Sequence, residues 1–334
     1  MSNPAERRQG NALRCTYHAS HEQFAPGELV SFSRLAEEAG FDGVFCSDHL
    51  QPWAPSQGHS GNTWVWLGAA MQATRRLPFS TITVPSGWRY HPVVLAQAIG
   101  TLGRMFPGRL PWIAFGSGEA LNEQTIGSGW PDKAERNRRL QEGVTVIREL
   151  LGGRRVSHRG LLAVDDARVW ERADTPPLLF GAATTPATAR WLGAWADGLL
   201  TLGRDLDQLR ESIAAFREGG GTGKPVHVKL DVSWAETDDE ALAQAHRHWR
   251  FNGLGGGANS DLRQPEDFDQ ATRGLRPQDM HRHVLVSSDL GRHLDHLDAC
   301  RRLGVDWVDV HQVGLAQAQF IEAYGRGVLG GLRR

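Results

Sequence analysis

Short apolar runs alternate along this chain with longer segments in which apolar residues recur at helical spacing. The runs are rich in Val, Leu, Ile and Phe and end at Gly, Pro or polar residues, which is typical of buried strands. They occupy residues 13–17, 43–47, 79–84, 111–116, 177–182, 198–203, 226–235 and 305–313. The pattern therefore predicts eight buried strands.

The segments between the runs have the period of amphipathic helices. They cover residues 28–39, 92–105, 134–151, 206–217, 238–250, 291–303 and 316–328, and one more helix ends at Trp195. Eight strands that alternate with helices in 334 residues favour a closed (β/α)8 TIM barrel over an open doubly wound sheet. We predict one α/β domain over residues 13–334, after a polar tail at 1–12.

Two segments interrupt this alternation. Residues 155–164 (RVSHRG, then LLAV) predict a hairpin. Residues 251–280 begin with the Gly-rich, polar stretch FNGLGGGANSDLRQPEDFD. This stretch predicts a loop insertion that covers one end of the barrel as a candidate lid.

The amino-acid composition restricts the kinds of molecule that the protein is expected to bind. A net charge of -1 provides no overall attraction to nucleic acid or to an anionic membrane, so we expect a small-molecule substrate. Cys15, Cys46 and Cys300 form an odd set without Cys-x-x-Cys spacing, which argues against disulfides and structural zinc. No apolar run approaches the roughly 20 residues of a membrane span, and no signal peptide begins the chain, so a cytoplasmic location is predicted.

In a barrel of this kind the chemistry lies on the loops that follow the carboxyl ends of the strands. Ser47-Asp48-His49 follows the second strand, where a histidine can exchange protons near neutral pH. The structural alternative is a histidine that only hydrogen-bonds within its loop. The nearby Trp53 could pack over a flat ring or simply close the barrel end.

Two carboxylates are further acid/base candidates. Glu119 follows the fourth strand in GSGEALNE, and Glu22 follows the first in HASHEQF. The alternative for Glu119 is a carboxylate that stabilises a helix amino terminus. For Glu22 the alternative is a solvated loop acid.

The segment AATTPATAR predicts a helix whose N-cap is Thr184 or Thr185, with Pro186 in the first turn. Free amides at such a helix end suit a phosphate, although plain capping explains the same residues. A metal hydrolase is the competing class, because Asp48-His49 and Asp309-x-His311 both lie at strand ends. The ligand pattern is incomplete, with no His-x-His after the first strand, so no metal site is predicted.

Several segments together resemble the luciferase-like flavin oxidoreductases, in particular the group around the coenzyme F420-dependent glucose-6-phosphate dehydrogenases. They are YHASHEQFAPGEL, GFDGVFCSDHLQPW, RYHPVVLAQAIGTL, GSGEALNE and ERNRRLQEGVTVIRELL. Three more, WPDKAERNRRL, HRGLLAVDDARVW and TPPLLFGAATTPATARW, resemble a side branch of that group thought to use FMN. The resemblance spans nearly the whole chain, and SDHxxPW with GxGEALNE is its most specific part.

The resemblance implies roles for individual residues. His49 matches the base that removes a hydroxyl proton while hydride passes to the ring, and Glu119 matches the proposed acid. Trp53 and Glu22 match residues that assist at the ring and substrate. The matching cofactor contacts are Asp48, Thr81, Ile82, Ser117, Gly118, Asn122, Thr184, Thr185, Ala187 and Thr188. A non-prolyl cis peptide under the ring is implied between Thr81 and Ile82.

The chain differs from this group at the residues that bind the phosphate of the sugar. Two lysines and an arginine hold that phosphate in the dehydrogenases, and the matching substrate-binding candidates here are Arg204, Asn259 and His283. A dianionic phosphate needs several fixed cations, so these residues argue against glucose 6-phosphate as the substrate. The glycine pair that contacts the coenzyme also becomes Thr184-Thr185, which suits the single phosphate of FMN at least as well as a long deazaflavin tail.

Three hypotheses follow. The first is an FMN-dependent, luciferase-like oxidoreductase or monooxygenase in which His49 and Glu119 transfer protons to and from an unknown small organic substrate. The second is an F420-dependent alcohol or sugar-phosphate dehydrogenase, and the third a flavin-binding protein without turnover. The resemblance also implies a homodimer and, for the first hypothesis, a supply of reduced flavin such as a flavin reductase.

Overall fold

The computed structural model describes residues 13–254 and 258–333. The predicted tail at 1–12 lies outside them. In chain order the strands are β1 (Arg14–Ala19), β2 (Val44–Cys46), β3 (Phe79–Thr81), β4 (Val84–Pro85), β5 (Trp112–Gly116), β6 (Val156–Arg159), β7 (Ala163–Ala167), β8 (Leu178–Ala182), β9 (Leu199–Leu202), β10 (Val226–Ser233), β11 (Leu285–Val286) and β12 (Trp307–Gln312).

The α-helices are α1 (Pro26–Ala39), α2 (Thr63–Ala73), α3 (Pro92–Met105), α4 (Ala120–Glu123), α5 (Lys133–Leu151), α6 (Pro186–Gly193), α7 (Leu206–Phe216), α8 (Asp238–Trp249), α9 (Ala258–Asp261), α10 (Pro265–Ala271), α11 (Leu290–Arg302), α12 (Gln317–Tyr324) and α13 (Gly330–Leu332). No helix in the described ranges is both long and apolar enough to span a membrane.

The strands form a parallel sheet in the order β3-β2-β1-β12-β10-β9-β8-β5-β4, with β11 beside β10. β3 and β4 are two parts of one interrupted strand, since β3 pairs with β2 and β4 pairs with β5. This interrupted strand brings the two edges of the sheet together in a nearly closed eight-stranded barrel. The predicted (β/α)8 TIM barrel is confirmed.

Alternation along the strands separates an outer core from an inner one. In β10 the residues Val226, Val228 and Leu230 pack outward against the helices. The inner core near the amino ends of the strands is aromatic and contains Phe45, Trp112, Phe180 and Trp307. The carboxyl end above it carries polar side chains, which places the candidate site there.

The predicted insertion contains short helices rather than an open loop. A 3-10 turn at residues 250–254 is followed by α9, α10 and a second 3-10 turn at 277–282. Phe251, Phe268 and Met280 are buried together, and Trp53 packs against the same cluster. Apolar burial therefore packs the described parts of this segment together and joins them to the loop after β2.

Other predicted elements need small corrections. The hairpin is confirmed as the antiparallel pair β6 and β7. The first helix begins at Pro26 instead of Glu28, because the Glu28 carboxylate accepts a hydrogen bond from the amide of Ala25 and caps the earlier start. Helix α2 was not predicted, since its sequence TWVWLGAAMQA lacks a clear polar face.

Candidate active site

His49 lies in the loop after β2, and this loop is held by hydrogen bonds to its backbone. The Ser60 hydroxyl donates to the carbonyl of His49 at 2.8 Å, and the Thr63 hydroxyl donates to the carbonyl of Ser47 at 2.7 Å. The His49 side chain is only 11% exposed. The imidazole is therefore fixed by its surroundings at the carboxyl end of the barrel.

The imidazole Nε2 of His49 faces two carboxylates. It lies 3.5 Å from Oε1 of Glu22 and 3.6 Å from Oε2 of Glu119. The structure thus brings together the three titratable residues among the four predicted to be catalytic, although they follow three different strands. A proton on Nε2 can pass to or from this region without a large movement of the ring.

Glu22 is buried and its carboxylate is held by two hydroxyl groups. Ser47 donates to Oε2 at 2.6 Å and Ser20 donates to the same atom at 2.9 Å. Burial alone would raise the pKa of Glu22, but the nearby His49 and the hydrogen bond from Ser47 outweigh it and lower the pKa to about 2. Glu22 is therefore anionic at neutral pH and is not the solvated loop acid of the alternative interpretation.

Glu119 has the opposite electrostatic environment. Burial of its carboxyl raises the pKa above the usual value, while His49 opposes this shift and the anionic Glu22 adds to it. The side chain still keeps 32% of its surface exposed at the site. A carboxyl that retains its proton more readily than usual, beside a histidine, suits a proton-donating role.

Asn122 connects these groups. Its Oδ1 accepts hydrogen bonds from the amides of Leu50 at 2.9 Å and Gln51 at 3.1 Å, which fixes the orientation of the side-chain amide. The Nδ2 group then donates to Oε2 of Glu119 at 3.3 Å and lies 3.2 Å from Nδ1 of His49. The Gln51 carbonyl lies 3.2 Å from the same Nδ1, so this nitrogen has both a donor and an acceptor beside it.

Trp53 lies next to the imidazole. Its ring centroid is 4.7 Å from that of His49, and it also stacks on Phe251 and meets Phe268 edge to face. Trp53 is thus both a neighbour of the candidate base and the contact between the β2 loop and the insertion.

A buried ionic cluster beside these residues was not predicted. Arg89 donates to Asp48 Oδ1 at 3.3 Å and to Glu123 Oε1 at 3.1 Å, and the Tyr90 hydroxyl donates to Asp48 at 2.9 Å. Burial raises the pKa of Glu123 to about 7, although Arg89 opposes this shift. The partners are distant in sequence, so only their position on strand tips could have indicated the cluster.

The predicted cofactor positions include features that fit a bound ring. Asp48 Oδ2 and Thr81 Oγ1 are buried without a hydrogen-bond partner among the described protein groups. Gly118 has a φ of +81°, and a Cβ there would lie 2.7 Å from Cγ of Glu123, so the turn after Ser117 requires glycine. Buried polar atoms without partners and a close backbone turn are what a flat polar ligand needs.

The cis peptide lies one residue later than predicted. It joins Ile82 and Thr83 instead of Thr81 and Ile82. Thr81 is still in register with Cys46 on β2, and the amide of Ile82 donates to the Cys46 carbonyl at 2.8 Å. The ladder with β2 therefore continues through Ile82, and the interruption begins after it.

The helix terminus predicted to hold a phosphate is confirmed as a capped helix. Thr185 is the N-cap of α6 and its hydroxyl accepts from the amide of Thr188, with Pro186 in the first turn and Ala187 following it. Lys133, at the start of α5, donates to the Thr188 hydroxyl at 3.3 Å. A cation that the sequence did not indicate thus lies beside Thr184 to Thr188.

The three predicted substrate contacts occupy different surroundings. Arg204 donates to the carbonyl of His281 at 2.6 Å, so it lies beside the segment of His283. Asn259 belongs to α9, which packs against α4 and the 3-10 turn at 250–254. Burial lowers the pKa of His283, which favours its neutral form.

Asp309 and His311, the other metal candidates, are paired with protein groups. Asp309 Oδ2 lies 2.6 Å from His18 Nδ1, and His311 Nδ1 lies 2.9 Å from Asp231 Oδ1. In the described ranges no group of three or more His, Cys, Asp or Glu side chains is arranged to hold a metal ion.

A nearly closed parallel barrel with a histidine between two carboxylates, beside the unpartnered buried oxygens of Asp48 and Thr81, is typical of a class of barrel redox enzymes. Comparison with known proteins agrees, because residues 11–307 match the luciferase-like monooxygenase family. The chain belongs to this family.

Two similar proteins narrow the class. The F420-dependent glucose-6-phosphate dehydrogenase of Microbacterium testaceum is 36% identical over 331 residues, covering 96% of this chain and 98% of that protein. The structure of an F420-dependent secondary alcohol dehydrogenase in complex with an F420-acetone adduct has a TM-score of 0.90 at 25% identity, covering 96% of this chain and 99% of that one. The chain is accordingly a flavin- or deazaflavin-dependent oxidoreductase.

A third comparison extends the likeness of fold. The oxygenating constituent of 3,6-diketocamphane monooxygenase from Pseudomonas putida, a type II Baeyer-Villiger monooxygenase in complex with FMN, has a TM-score of 0.68 at 16% identity. It covers 96% of this chain and 98% of that one. The barrel is thus shared by a protein solved with FMN as well as by F420-dependent proteins.

Proposed function

We propose that this protein is a dehydrogenase-type oxidoreductase that transfers a hydride between a flavin-type ring and the carbon of a substrate hydroxyl or carbonyl group. The observation that supports this most strongly is the position of His49 Nε2 between the carboxylates of Glu22 and Glu119. A hydride transfer of this kind needs one group to take the hydroxyl proton and another to handle a proton at the ring.

A bound flavin or deazaflavin supplies the hydride acceptor, and the side chains supply the proton chemistry. Nε2 of His49 takes the hydroxyl proton, and the anionic Glu22 stabilises the positive charge that forms on the imidazole. Glu119, with its raised pKa, holds the second proton. The side-chain amide of Asn122 contacts both Glu119 and His49 and fixes their relative positions. The Trp53 ring packs beside the imidazole of His49.

Coenzyme F420 is the cofactor that the similar proteins support. Both the dehydrogenase at 36% identity and the alcohol dehydrogenase structure at 25% identity are named for it. This favours the second hypothesis from the sequence, an F420-dependent alcohol or sugar-phosphate dehydrogenase.

FMN is the second candidate, supported by the start of α6. Threonine side chains at positions 184 and 185 replace the glycine pair of the resembled dehydrogenases, and Thr185 caps the helix. Lys133 beside Thr188 adds one positive charge. One cation and one helix terminus match a single terminal phosphate.

Absorption spectra of the purified protein distinguish the two cofactors. A flavin spectrum, with FMN released on denaturation, would favour FMN. Selective binding of F420 with no affinity for FMN would favour the deazaflavin. Failure to bind either ring would contradict the proposed function.

Substitution of the base tests the proton chemistry. His49→Ala should keep the cofactor and lose about 10²- to 10⁴-fold in turnover, since general base catalysis contributes in this range. His91→Asn is the matched control, because His91 is exposed and its capping of α3 is preserved by asparagine. Full turnover in His49→Ala would remove this residue from the mechanism.

A further inference from the structure

Lys229 is a cation on the inside of the barrel. His227, two residues earlier on β10, packs on the rings of Trp112 and Phe180 in the inner core at 4.6 and 4.5 Å. Because side chains two apart on a strand share a face, Lys229 points inward as well. Its side chain keeps 20% of its surface exposed, whereas His227 and Asp231 are buried.

Lys229 borders an open part of the barrel. Its partner in register on β9 is Leu202, which is 46% exposed. Leu202 follows the inner-core residue Leu200 by two positions, so it also points inward. The predicted cofactor contacts follow β2 to β5 and β8, so the wall made by β9, β10 and β12 remains for the substrate.

Asp231 cancels the charge of Lys229. The Lys229 ammonium donates to Oδ1 of Asp231, and His311 Nδ1 lies 2.9 Å from the same oxygen. Trp249 and Asn252 donate to Oδ2 at 3.1 and 3.0 Å. Burial alone would raise the pKa of Asp231, but Lys229 and His311 lower it well below the usual value, so the pair is one positive and one negative charge.

The other candidate contacts offer a single cation. Arg204 keeps its charge while one of its nitrogens donates to the His281 carbonyl, but Asn259 is neutral and burial disfavours the charged form of His283. Recognition of a phosphate dianion needs several fixed cations that are free to meet it. The described side chains on this wall do not form such a group.

We infer, on the basis of the function proposed above, that the substrate is an uncharged alcohol or ketone and that the Lys229–Asp231 pair enforces this choice. The ammonium can donate a hydrogen bond to a neutral hydroxyl or carbonyl oxygen. The adjacent carboxylate of Asp231 cancels the positive potential of Lys229, which would otherwise attract a phosphate. Selectivity therefore arises from weak binding of phosphorylated compounds as well as from the hydrogen bond to an uncharged substrate.

Substitution of Asp231, which removes the negative charge beside Lys229, tests the inference. Asp231→Asn leaves Lys229 unpaired and should bind inorganic phosphate at least tenfold more tightly than the wild type. The binding is measured by calorimetry on cofactor-loaded protein at constant ionic strength. Asp231→Asn/Lys229→Met should lose this gain. Asp269→Asn, which breaks the Arg250–Asp269 ion pair in the insertion, is the matched control and should bind phosphate like the wild type.

Two results would overturn the inference: a folded Asp231→Asn protein without the gain, or wild-type phosphate binding that disappears in Lys229→Met. If Asp231→Asn does not fold, the wild type provides the second test. Its KM for cyclohexanol should be at least tenfold lower than for glucose 6-phosphate, and the reverse order contradicts the inference. The phosphate measurement needs no turnover, so an inactive enzyme would count against the proposed function alone.

Discussion

At the scale of single residues, the candidate site places two carboxylates of different proton affinity around one imidazole. Glu22 accepts hydrogen bonds from two hydroxyl groups, and its pKa falls to about 2. Glu119 has one amide donor and a burial-raised pKa. The surroundings of each group thus favour the anionic form of Glu22 and the protonated form of Glu119.

Glu119→Gln tests the proton carrier. The raised pKa keeps Glu119 protonated to a higher pH than an ordinary carboxyl, so a step that needs the acid should slow as pH rises through that pKa. The pH profile of kcat for the variant should lack this decrease at high pH. Its kcat should also be about 10²-fold lower than that of the wild type. The exposed Glu211→Gln is the control, and a variant that retains the wild-type profile would exclude Glu119 as the acid.

Glu22→Gln tests the fixed anion through stability. The folded-state pKa of about 2 lies below the ordinary 4.5, so ionised Glu22 stabilises the protein above about pH 4.5 and this contribution is lost as pH falls toward 2. The shift corresponds to about 3 kcal/mol for this buried group. Urea unfolding from pH 7 down to pH 3 should show a shallower decline for the variant, and an unchanged slope would contradict the assignment.

At the scale of elements, Arg89 holds together three segments of the site. It lies in the loop before α3 and contacts Asp48 after β2 and Glu123 at the end of α4. With one cation between two buried carboxylates, the cluster is balanced when Glu123 is protonated, which agrees with its pKa of about 7.

Arg89→Met should therefore be far more damaging than Glu123→Gln. The first leaves the Asp48 carboxylate and the partly protonated Glu123 carboxyl buried without their cation and should cost about 3–5 kcal/mol in the free energy of unfolding. The second leaves the Arg89–Asp48 pair balanced and should cost less than half as much. Urea denaturation at pH 7 measures both, and equal losses would show that charge balance does not stabilise the cluster.

Periodicity and turn chemistry predicted the elements better than the contacts between them. The eight barrel strands, the hairpin and the Thr185 cap follow from local patterns, whereas α2 lacks a polar face and was missed. The hydrogen bonds of Asp231 to Trp249 and His311 join residues 18 and 80 positions apart. Local sequence carries no information about such pairs until the topology is known.

At the scale of the whole molecule, the site exists only because the barrel is nearly closed. His49, Glu22 and Glu119 follow β2, β1 and β5, and the inner core below them is aromatic and apolar. The strand-tip rule brought them to one face. The resemblance supplied their roles, because the sequence alone left a structural alternative for each.

Cofactor binding should therefore stabilise the entire barrel. A ligand that binds only the folded state adds about 2.7 kcal/mol at one hundred times its Kd, so Tm should rise by a few degrees and continue to rise with concentration. The cofactor that belongs to the site, FMN or F420, is the one that produces this shift in a thermal melt.

Two variants separate binding from chemistry in the same melt. His49→Ala should retain the shift, since the proposed role of its imidazole is proton transfer and not cofactor binding. Thr185→Ala should lower the Tm of the free protein by the loss of about 1 kcal/mol of helix capping and should weaken the shift. If Thr185→Ala bound its cofactor as tightly as the wild type, the start of α6 would not hold the phosphate, and the case for FMN at this helix would fail with it.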